Sequence, residues 1–553
     1  MKKLLIPIVV LLVVSLGLIG LVGCKTNTTT SSQTATITPA SDESFQNVTE
    51  TTADFEITTE DGAFTQSGTT YTITSSGTYT LSGKLDGQIL VDAEEATVEL
   101  DLNGVSITNS TDSPIKIVAA DKVEISAKKD TDNLITDARS VKTVDTDTLG
   151  EGAIYATCDL KLKGNGVLVV SSTYNNGIHT TKDLTIKNLF LKVTAINNAI
   201  KGNDSITMES GTVVAISTAG DGVKTQNTDV SSKGNQRGTI TLTDGALTVY
   251  AAGDALQAAY DYVQDGGVLS VYTGSYSSYT ASSATTTSYK GVKVGNELTV
   301  NEGTLYIVAY DDGLHADYGT TLENGAKGKG SINIKGGSTT ITVYSPAKST
   351  MGGRMGPGGW GNQQSVSGAD GIHADNTLTI SGGTVKVDSA YEGLEATYVV
   401  ISGGNTTVYA TDDGVNAARK VGTPSITVSG GLLDVTVPTN GDTDGIDSNG
   451  TYVQTGGVVI TKGPGSASGR MGGGAFALDT DGGVSLRGGT LIIFGGMEDT
   501  PSASGMTKTI CSSTTVSTGS HTVTVGSSSY TTTLSSSTSG CVVYSSEGTA
   551  KLK

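Results

Sequence analysis

The amino-acid sequence predicts an all-β fold: a right-handed single-stranded parallel β-helix of about a dozen coils with capping ends. A motif centred on Gly returns about every 22 residues, as in DDGLHAD at 311–317 and ADGIHAD at 369–375. Between these motifs, short runs of alternating apolar and polar residues flank Gly-Gly pairs, as in LTISGGTVKV at 378–387. This pattern predicts three short strands per repeat. The period is too short for a propeller blade, which needs roughly 40–45 residues.

The N-terminus reads as a processing segment. Residues 1–23 form a short basic stretch and an apolar run, and LVGC at 21–24 resembles a bacterial lipobox. We therefore expect cleavage before Cys24 and diacylation of Cys24, which would anchor the protein at the extracellular face of the bacterial cell membrane. An ordinary signal peptide or a transmembrane anchor are the alternatives. Residues 24–54 are rich in Ser and Thr and are predicted to be a flexible tether.

The predicted β-helix occupies residues 55–500. Its first part, 55–150, has less regular strands and is expected to form the N-terminal cap and first coils, and 501–553 the C-terminal cap, because an open end would expose strand edges. Insertions at 226–238, 274–289, 318–330, 346–368 and 463–475 are predicted to be loops that leave the turns. The net charge of −19 argues against nucleic acid and against an anionic membrane surface as partners. We expect a monomer.

Three cysteines follow Cys24. An extracellular setting permits a disulfide between Cys511 and Cys541, which leaves Cys158 as a buried thiol. Three unpaired thiols are the alternative.

Stacked coils bring equivalent positions of the motif above one another. Taken together, the column of residues before the motif Gly and the column two residues after it are mostly acidic from residue 311 onward. Stacked carboxylates repel unless a cation lies between them, and a ligand set of carboxylate oxygens suits Ca²⁺. The preference of Asp-Gly for tight turns explains the first column, but it does not explain Glu395, Asp447 and Asp479. The predicted calcium ligands are Asp311, Asp312, Asp317, Asp370, Asp375, Glu392, Glu395, Asp412, Asp413, Asp444, Asp447 and Asp479.

Two further columns are candidates for carbohydrate binding. His315 and His373 share the column two residues after Gly, where a hydrogen-bonding surface ladder is favoured over a zinc site, because of the neighbouring carboxylates and the distance between rungs. The second column contains four tyrosines, which could stack on sugar rings as an exposed row or could simply pack across rungs. These are Tyr250, Tyr272, Tyr344 and Tyr409.

The chain resembles a known family in three features: the lipobox, the segment GTYTLSGKLDGQILVDA at 77–93 and the repeated DGIHA-type rung. This is the extracellular bacterial carbohydrate-binding β-helix family first described from a cellulolytic clostridium. The resemblance covers most of residues 55–500. It implies a shape similar to family 9 pectate lyases, bound calcium, and binding of polygalacturonate and cellulose. The pair Cys511 and Cys541 has no counterpart in that pattern.

The sequence therefore predicts a calcium-dependent surface lipoprotein that binds an acidic plant cell-wall polysaccharide such as polygalacturonate. Calcium that bridges protein and sugar carboxylates would overcome the repulsion between two acidic polymers. The alternative is a polysaccharide lyase that acts by β-elimination, with Lys293 as the candidate base and Lys224 and Lys290 as weaker ones. If these lysines only neutralise nearby carboxylates, none of them is a catalytic base and the lyase alternative fails. An adhesin or spacer with structural calcium is the third hypothesis.

Overall fold

The computed structural model describes residues 45, 48–140, 151–274, 288–323, 325–343, 368–441, 443–465 and 475–553. All regular secondary structure longer than a single turn in these ranges consists of β-strands, so the predicted all-β class is confirmed. Across the same ranges, we find no helix with the length and apolar character needed to cross a membrane.

Most strands pair in parallel with the strand that lies three strands further along the chain. Gly152–Ala156 pairs with Asn176–Thr180, which in turn pairs with Ile200–Gly202. The chain therefore passes through three ladders in turn before it returns to the first, a connectivity consistent with a parallel β-helix.

The three ladders are named A, B and C in the order in which the chain visits them. Ladder A contains Thr70–Ile73, Gln88–Asp92, Ile115–Ala119, Gly152–Ala156, Asn176–Thr180, Ile200–Gly202, Val223–Lys224, Leu256–Ala258, Val292–Val294, Leu314–Ala316, the starts of Ile372–Ile380 and Leu394–Ile401, Val415–Ala417 and Ile446–Ser448. Ladder B contains the start of Gly77–Asp86, the start of Thr97–Asn109, Lys122–Ala127, Asp159–Gly164, Asp183–Lys187, Ser205–Met208, Thr239–Leu242, Asp261–Gln264, Glu297–Val300, Ser331–Ile334, the ends of Ile372–Ile380 and Leu394–Ile401, Ser425–Val428, Thr451–Gln454, Val484–Leu486 and Ser502–Ala503. Ladder C contains the ends of Gly77–Asp86 and Thr97–Asn109, Asp132–Asp137, Val167–Ser172, Leu189–Ala195, Gly211–Ser217, Ala246–Ala251, Val268–Thr273, Thr304–Ala309, Ser338–Val343, Thr384–Ser389, Asn405–Tyr409, Leu432–Thr436, Val458–Lys462 and Thr490–Phe494.

Antiparallel strands lie at both ends of the ladders. At the start, Glu56–Thr59 pairs with Gly77–Asp86 and Phe64–Ser67 pairs with Thr70–Ile73. At the end, Cys541–Ser545 pairs antiparallel with the last strand of ladder C and with Thr507–Ser512. A separate antiparallel sheet is formed by Gly519–Val525, Ser528–Leu534 and Ala550–Leu552. These strands stop the parallel stacking, because their pairing direction differs from that of the ladders.

Alternation of side chains builds the core. In Thr384–Ser389, Val385 and Val387 are buried while Lys386 between them is exposed. The same pattern, repeated on all three ladders, gives one continuous apolar cluster that reaches from Ile73 to Tyr544. Each fully buried Ile or Leu contributes roughly 1.5–3 kcal/mol.

Gly is required at the centre of the motif by close packing between rungs. A Cβ on Gly371 would lie 2.5 Å from the carbonyl oxygen of Gly393 on the next rung and 2.7 Å from Val387. The Gly-Gly pair of the same repeat has a different reason, since Gly383 has a φ of +72°.

Two of the predicted insertions fall mainly on described residues and contact each other. Within 318–330, the strands Tyr318–Thr321 and Lys327–Lys329 form a small hairpin. The Glu323 carboxylate beside this hairpin accepts hydrogen bonds from the backbone N–H groups of Thr228 and Asp229, at 3.2 and 2.8 Å. The insertions at 274–289, 346–368 and 463–475 lie largely outside the described residues.

Candidate functional site

The outward column two residues after the motif Gly forms the continuous ladder that the repeat predicts. In ladder A, Lys293 pairs with His315, His315 with His373, and His373 with Glu395. Glu395 then pairs with Asn416, and Asn416 with Asp447. Because parallel strands hold their register, residues far apart in sequence become immediate neighbours on one face.

The column before the motif Gly has a structural role as well as an acidic character. One carboxylate oxygen of Asp312 accepts the backbone N–H of Asp370 at 2.8 Å, and one of Asp413 accepts that of Asp444 at 2.8 Å. Asp221 and Asp254 accept backbone N–H groups of the following rung in the same way. Each of these carboxylates thus uses one oxygen to join two rungs.

Side-chain cations neutralise the first part of the acidic face. The Lys290 ammonium donates to Asp311 at 2.9 Å and to Asp312 at 2.6 Å. His315 lies between Asp312 and Asp317, with ring nitrogens 2.6 and 2.8 Å from their carboxylates. Burial would raise the pKa of Asp312, but Lys290 and His315 outweigh it and hold that pKa well below its usual range.

His373 also neutralises carboxylates, on the next rung. Its Nδ1 atom lies 2.9 Å from Asp370 and 2.7 Å from Glu395, and its Nε2 atom lies 3.2 Å from Asp375. Burial opposes a charge on the ring, but these three carboxylates outweigh it and raise the pKa of His373 well above its usual value. Lys420, 3.2 Å from Asp375, adds a further positive charge.

The next rungs carry a second group of carboxylates. Ligand oxygens of Glu392, Asp412 and Asp413 lie within 4.8 Å of one another. Among the described residues, no Lys, Arg or His forms an ion pair with Glu392 or Asp413. Burial and repulsion by Glu395 raise the pKa of Glu392 to about 8. Burial, followed by repulsion from Glu392 and Asp412, raises the pKa of Asp413 to about 9.

Asn416 completes this group, which we call the carboxylate cluster (Glu392, Asp412, Asp413 and Asn416). Its Nδ2 amide donates to the Glu392 carboxylate at 3.0 Å. Its Oδ1 atom is buried and has no hydrogen-bond partner among the described residues. A buried carbonyl oxygen without a donor is costly unless a cation or water satisfies it.

A second acidic group lies at the end of ladder A. Burial, with repulsion from Asp481, raises the pKa of Asp447 to about 6. Burial and a hydrogen bond with Glu498 raise the pKa of Asp479 to about 8. Asp444, also predicted as a ligand, accepts the backbone N–H of Phe476 through its carboxylate. Glu498 lies outside the repeated motif, so no pattern in the sequence identifies it as part of this group.

The tyrosine column departs from the expected exposed row. Tyr250 and Tyr272 are neighbours in ladder C and stack with ring centroids 4.9 Å apart, but Tyr250 is only 4% exposed and packs near Phe45. At Tyr250 the exposed-row prediction is wrong, and packing across rungs describes this pair. Tyr409 is exposed but lies several rungs away, and Tyr344 is outside the described residues. The exposed Tyr306, 6.1 Å from Tyr272, was not predicted.

The candidate lyase bases are all in ion pairs. Lys293 lies 3.5 Å from Asp317, and Lys224 lies 2.9 Å from Asp221. The carboxylates of Asp312 and Asp311 overcome burial and raise the pKa of Lys290. A protonated lysine with a raised pKa cannot remove a proton from a sugar, so Lys290 acts as a charge partner.

The C-terminal cysteines are neighbours but are not bonded. Cys511 and Cys541 lie on adjacent strands with their thiols in hydrogen-bonding contact, and both are free. The disulfide stays a prediction. Cys158 is buried, as expected, and burial raises the pKa of its thiol to about 11. Cys24 and the rest of the predicted signal segment lie outside the described residues.

The fold and the site together define a class: an all-β protein of stacked parallel strands with an extended acidic face. A family model described as "Carbohydrate-binding domain-containing protein" matches residues 67–343, 323–414 and 366–552. These matches span most of the chain, and the protein belongs to this carbohydrate-binding domain family.

Two individual proteins are similar to the chain. A "Carbohydrate-binding domain-containing protein" of Acetivibrio thermocellus is 45% identical over 117 residues, which is 21% of this chain and 41% of that protein. The chain therefore matches less than half of that relative's length. A solved structure described as the "polysaccharide lyase-like protein from C. thermocellum, Gadolinium derivative" is 33% identical, with a TM-score of 0.38. The similarity covers 44% of this chain and 90% of that one.

Proposed function

We propose that this protein binds an acidic cell-wall polysaccharide, such as polygalacturonate, through calcium held by the carboxylate cluster. The carbohydrate-binding family supports a polysaccharide as the partner. We further propose that the stacked strands form a right-handed β-helix of about a dozen coils, whose long side can follow a polymer, and that Cys24 carries the lipid that keeps it at the cell surface.

The observation that carries the proposal is the composition of the carboxylate cluster. It offers only oxygen ligands, and those of Glu392, Asp412 and Asp413 lie within 4.8 Å of one another. Calcium takes six to eight oxygens, including carboxylates and amide carbonyls. The buried Oδ1 atom of Asn416 and the raised pKa values of Glu392 and Asp413 both fit a site that a cation completes.

The neighbouring rungs favour this position over the others on the face. Asp311, Asp312 and Asp317 already have Lys290, Lys293 or His315 beside them. In contrast, no Lys, Arg or His among the residues that the structure describes forms an ion pair with Glu392 or Asp413 of the carboxylate cluster. Bound calcium would supply coordination positions for uronate carboxylates, while the cluster residues hold the ion and exclude like-charged sugars when it is absent.

The test is co-sedimentation of the full chain with polygalacturonate, with calcium and with chelator. We expect binding only with calcium, and loss of binding in Glu392→Gln/Asp413→Asn. The matched control is Asp388→Asn, which removes an exposed carboxylate from ladder C in a nearby rung. Cellulose, as a neutral polymer, tests whether the sugar carboxylates are needed.

Ultraviolet absorbance of unsaturated products, followed in the same samples, tests the lyase alternative. A rise in absorbance that disappears in Lys293→Ala would replace the binding proposal by catalysis. Binding that persists in chelator would contradict the role of calcium, and absence of binding to any polymer would favour an adhesin or spacer.

A further inference from the structure

The two histidine rungs share one arrangement. In each, a carboxylate two residues after the histidine holds Nε2: Asp317 lies 2.8 Å from His315, and Asp375 lies 3.2 Å from His373. The rings stack with centroids 4.8 Å apart and planes inclined by 9°. A carboxylate on one ring nitrogen fixes the orientation of the ring and makes the other nitrogen a better metal ligand.

Both Nδ1 atoms meet further carboxylates. Nδ1 of His315 lies 2.6 Å from Asp312, and Nδ1 of His373 lies 2.9 Å from Asp370 and 2.7 Å from Glu395. One ligand atom from each of Asp312, His315 and His373 lies within 4.8 Å of the others, and the same holds for Asp370, His373 and Glu395. His373 belongs to both sets, so two imidazoles and three carboxylates converge on one buried patch.

We propose that this patch, the histidine pair, binds a first-row transition-metal ion such as Zn²⁺, independently of calcium at the carboxylate cluster. Imidazole nitrogen and carboxylate oxygen are donors that such ions prefer, whereas calcium takes oxygen. Asp317 and Asp375 hold the outer nitrogens, as in the carboxylate–histidine pairs of metal sites.

The distances permit this assignment with a small adjustment. Zinc binds nitrogen and oxygen donors at about 2.0–2.2 Å, so its ligands stand about 3–3.5 Å apart. Donors that now lie within 4.8 Å therefore need to converge by about an ångström, which a tilt of the two rings toward each other supplies. The rung spacing, which argued against zinc from the sequence, is thus compatible with it.

The charge of the patch also fits a divalent ion. Lys290 lies 2.6 Å from Asp312 and offsets one of the three carboxylates, which leaves two negative charges if both imidazoles are neutral. In the metal-free protein both nitrogens of each ring face carboxylate oxygens. Coordination through Nδ1 releases any proton carried there to solvent and forms the nitrogen–metal bond in its place.

The first test is Cu²⁺ electron paramagnetic resonance of the chelator-stripped full chain in excess calcium. We expect nitrogen hyperfine splitting from two imidazoles. Titration calorimetry with Zn²⁺ under the same conditions should show one equivalent bound. A copper spectrum with oxygen ligands only, or zinc binding that excess calcium abolishes, would overturn the proposal, because the ion would then be using carboxylates alone.

Variants locate the site. His373→Asn should weaken zinc binding by at least about tenfold, and Asp375→Asn, which removes only an outer partner, by about 10–100-fold. The matched control is His521→Asn, because His521 is an exposed histidine of the C-terminal sheet that contacts the Ser517 carbonyl. Equal zinc affinity in wild type and His373→Asn would refute the site.

The wild-type copper spectrum tests the proposal even if a variant fails to fold. The double variant Glu392→Gln/Asp413→Asn should keep the two-imidazole copper spectrum while it loses calcium-dependent polymer binding, so the two proposals fail separately.

Discussion

Asp413→Asn should make the calcium-free protein less sensitive to alkaline pH. The pKa of Asp413 rises from 3.8 to about 9 on folding, mainly through burial. A carboxyl group with a raised folded pKa binds its proton more tightly in the folded state. Stability is therefore lost as pH rises between the unfolded and the folded pKa.

The magnitude follows from that window. One carboxyl group inside its window costs about 1.4 kcal/mol per pH unit, so Asp413 alone removes about 3 kcal/mol between pH 6 and pH 8. An unfolding entropy of about 2.1 cal/mol/K per residue over roughly 500 residues converts this to about 3 °C in Tm. The asparagine keeps the side chain's shape and an oxygen for the Asp444 N–H, but it cannot ionise.

The assay is thermal unfolding in chelator from about pH 5.5 to pH 8.5, a range inside the window of this carboxyl group. The Tm of wild type should fall more steeply with rising pH than the Tm of Asp413→Asn. Asp388→Asn should show the same pH dependence as wild type. Calcium should reduce the wild-type slope, because a bound cation stabilises the ionised carboxylates, and at about 100 times Kd it should add about 2.7 kcal/mol. Equal slopes for wild type and Asp413→Asn would refute the reasoning that Asp413 is buried and uncompensated.

Three other predictions concern the fold. Gly371→Ala should cost about 1–3 kcal/mol by overpacking, because its Cβ would lie 2.7 Å from Val387; an unchanged Tm would contradict this. Ile332→Ala should cost about 2–5 kcal/mol in chemical unfolding, since Ile332 is fully buried in the core. Mild oxidation should remove the Cys511 and Cys541 thiols together and add about 3–4 kcal/mol; thiol titration that still finds both would exclude the disulfide.

The sequence was sufficient to predict the column of residues in ladder A. Parallel strands keep a fixed register, and the alternation of buried and exposed residues allows no slip by one position. The pairs His315–His373 and His373–Glu395 follow from the motif spacing alone. The same argument works less well for ladder C, where Tyr250 and Tyr272 are adjacent but the tether residue Phe45 packs against their cluster.

The distribution of charge over the column could not be predicted, because it depends on the direction in which long lysine side chains extend along the column. The Lys290 ammonium reaches forward to Asp311 and Asp312, on the next rung, and Lys420 reaches back to Asp375. Neither direction is visible in the spacing of the motif. The acidic residues therefore looked alike in the sequence, although in the described part of the chain only some of them have a lysine or histidine beside them.

This division explains why one face can serve two kinds of ion. From Lys290 to His373, each rung of the acidic face includes a lysine or histidine, so its carboxylates are largely neutralised and nitrogen donors are present. Beyond Glu395 the corresponding positions are Asn416 and Asp447, which provide oxygen and no positive charge. A change from histidine to asparagine and aspartate along one column thus replaces mixed nitrogen and oxygen donors by oxygen donors alone. Exchanging the two donor sets, by Asn416→His and His373→Asn, should move zinc affinity along the column, and metal titration of these variants would measure that shift.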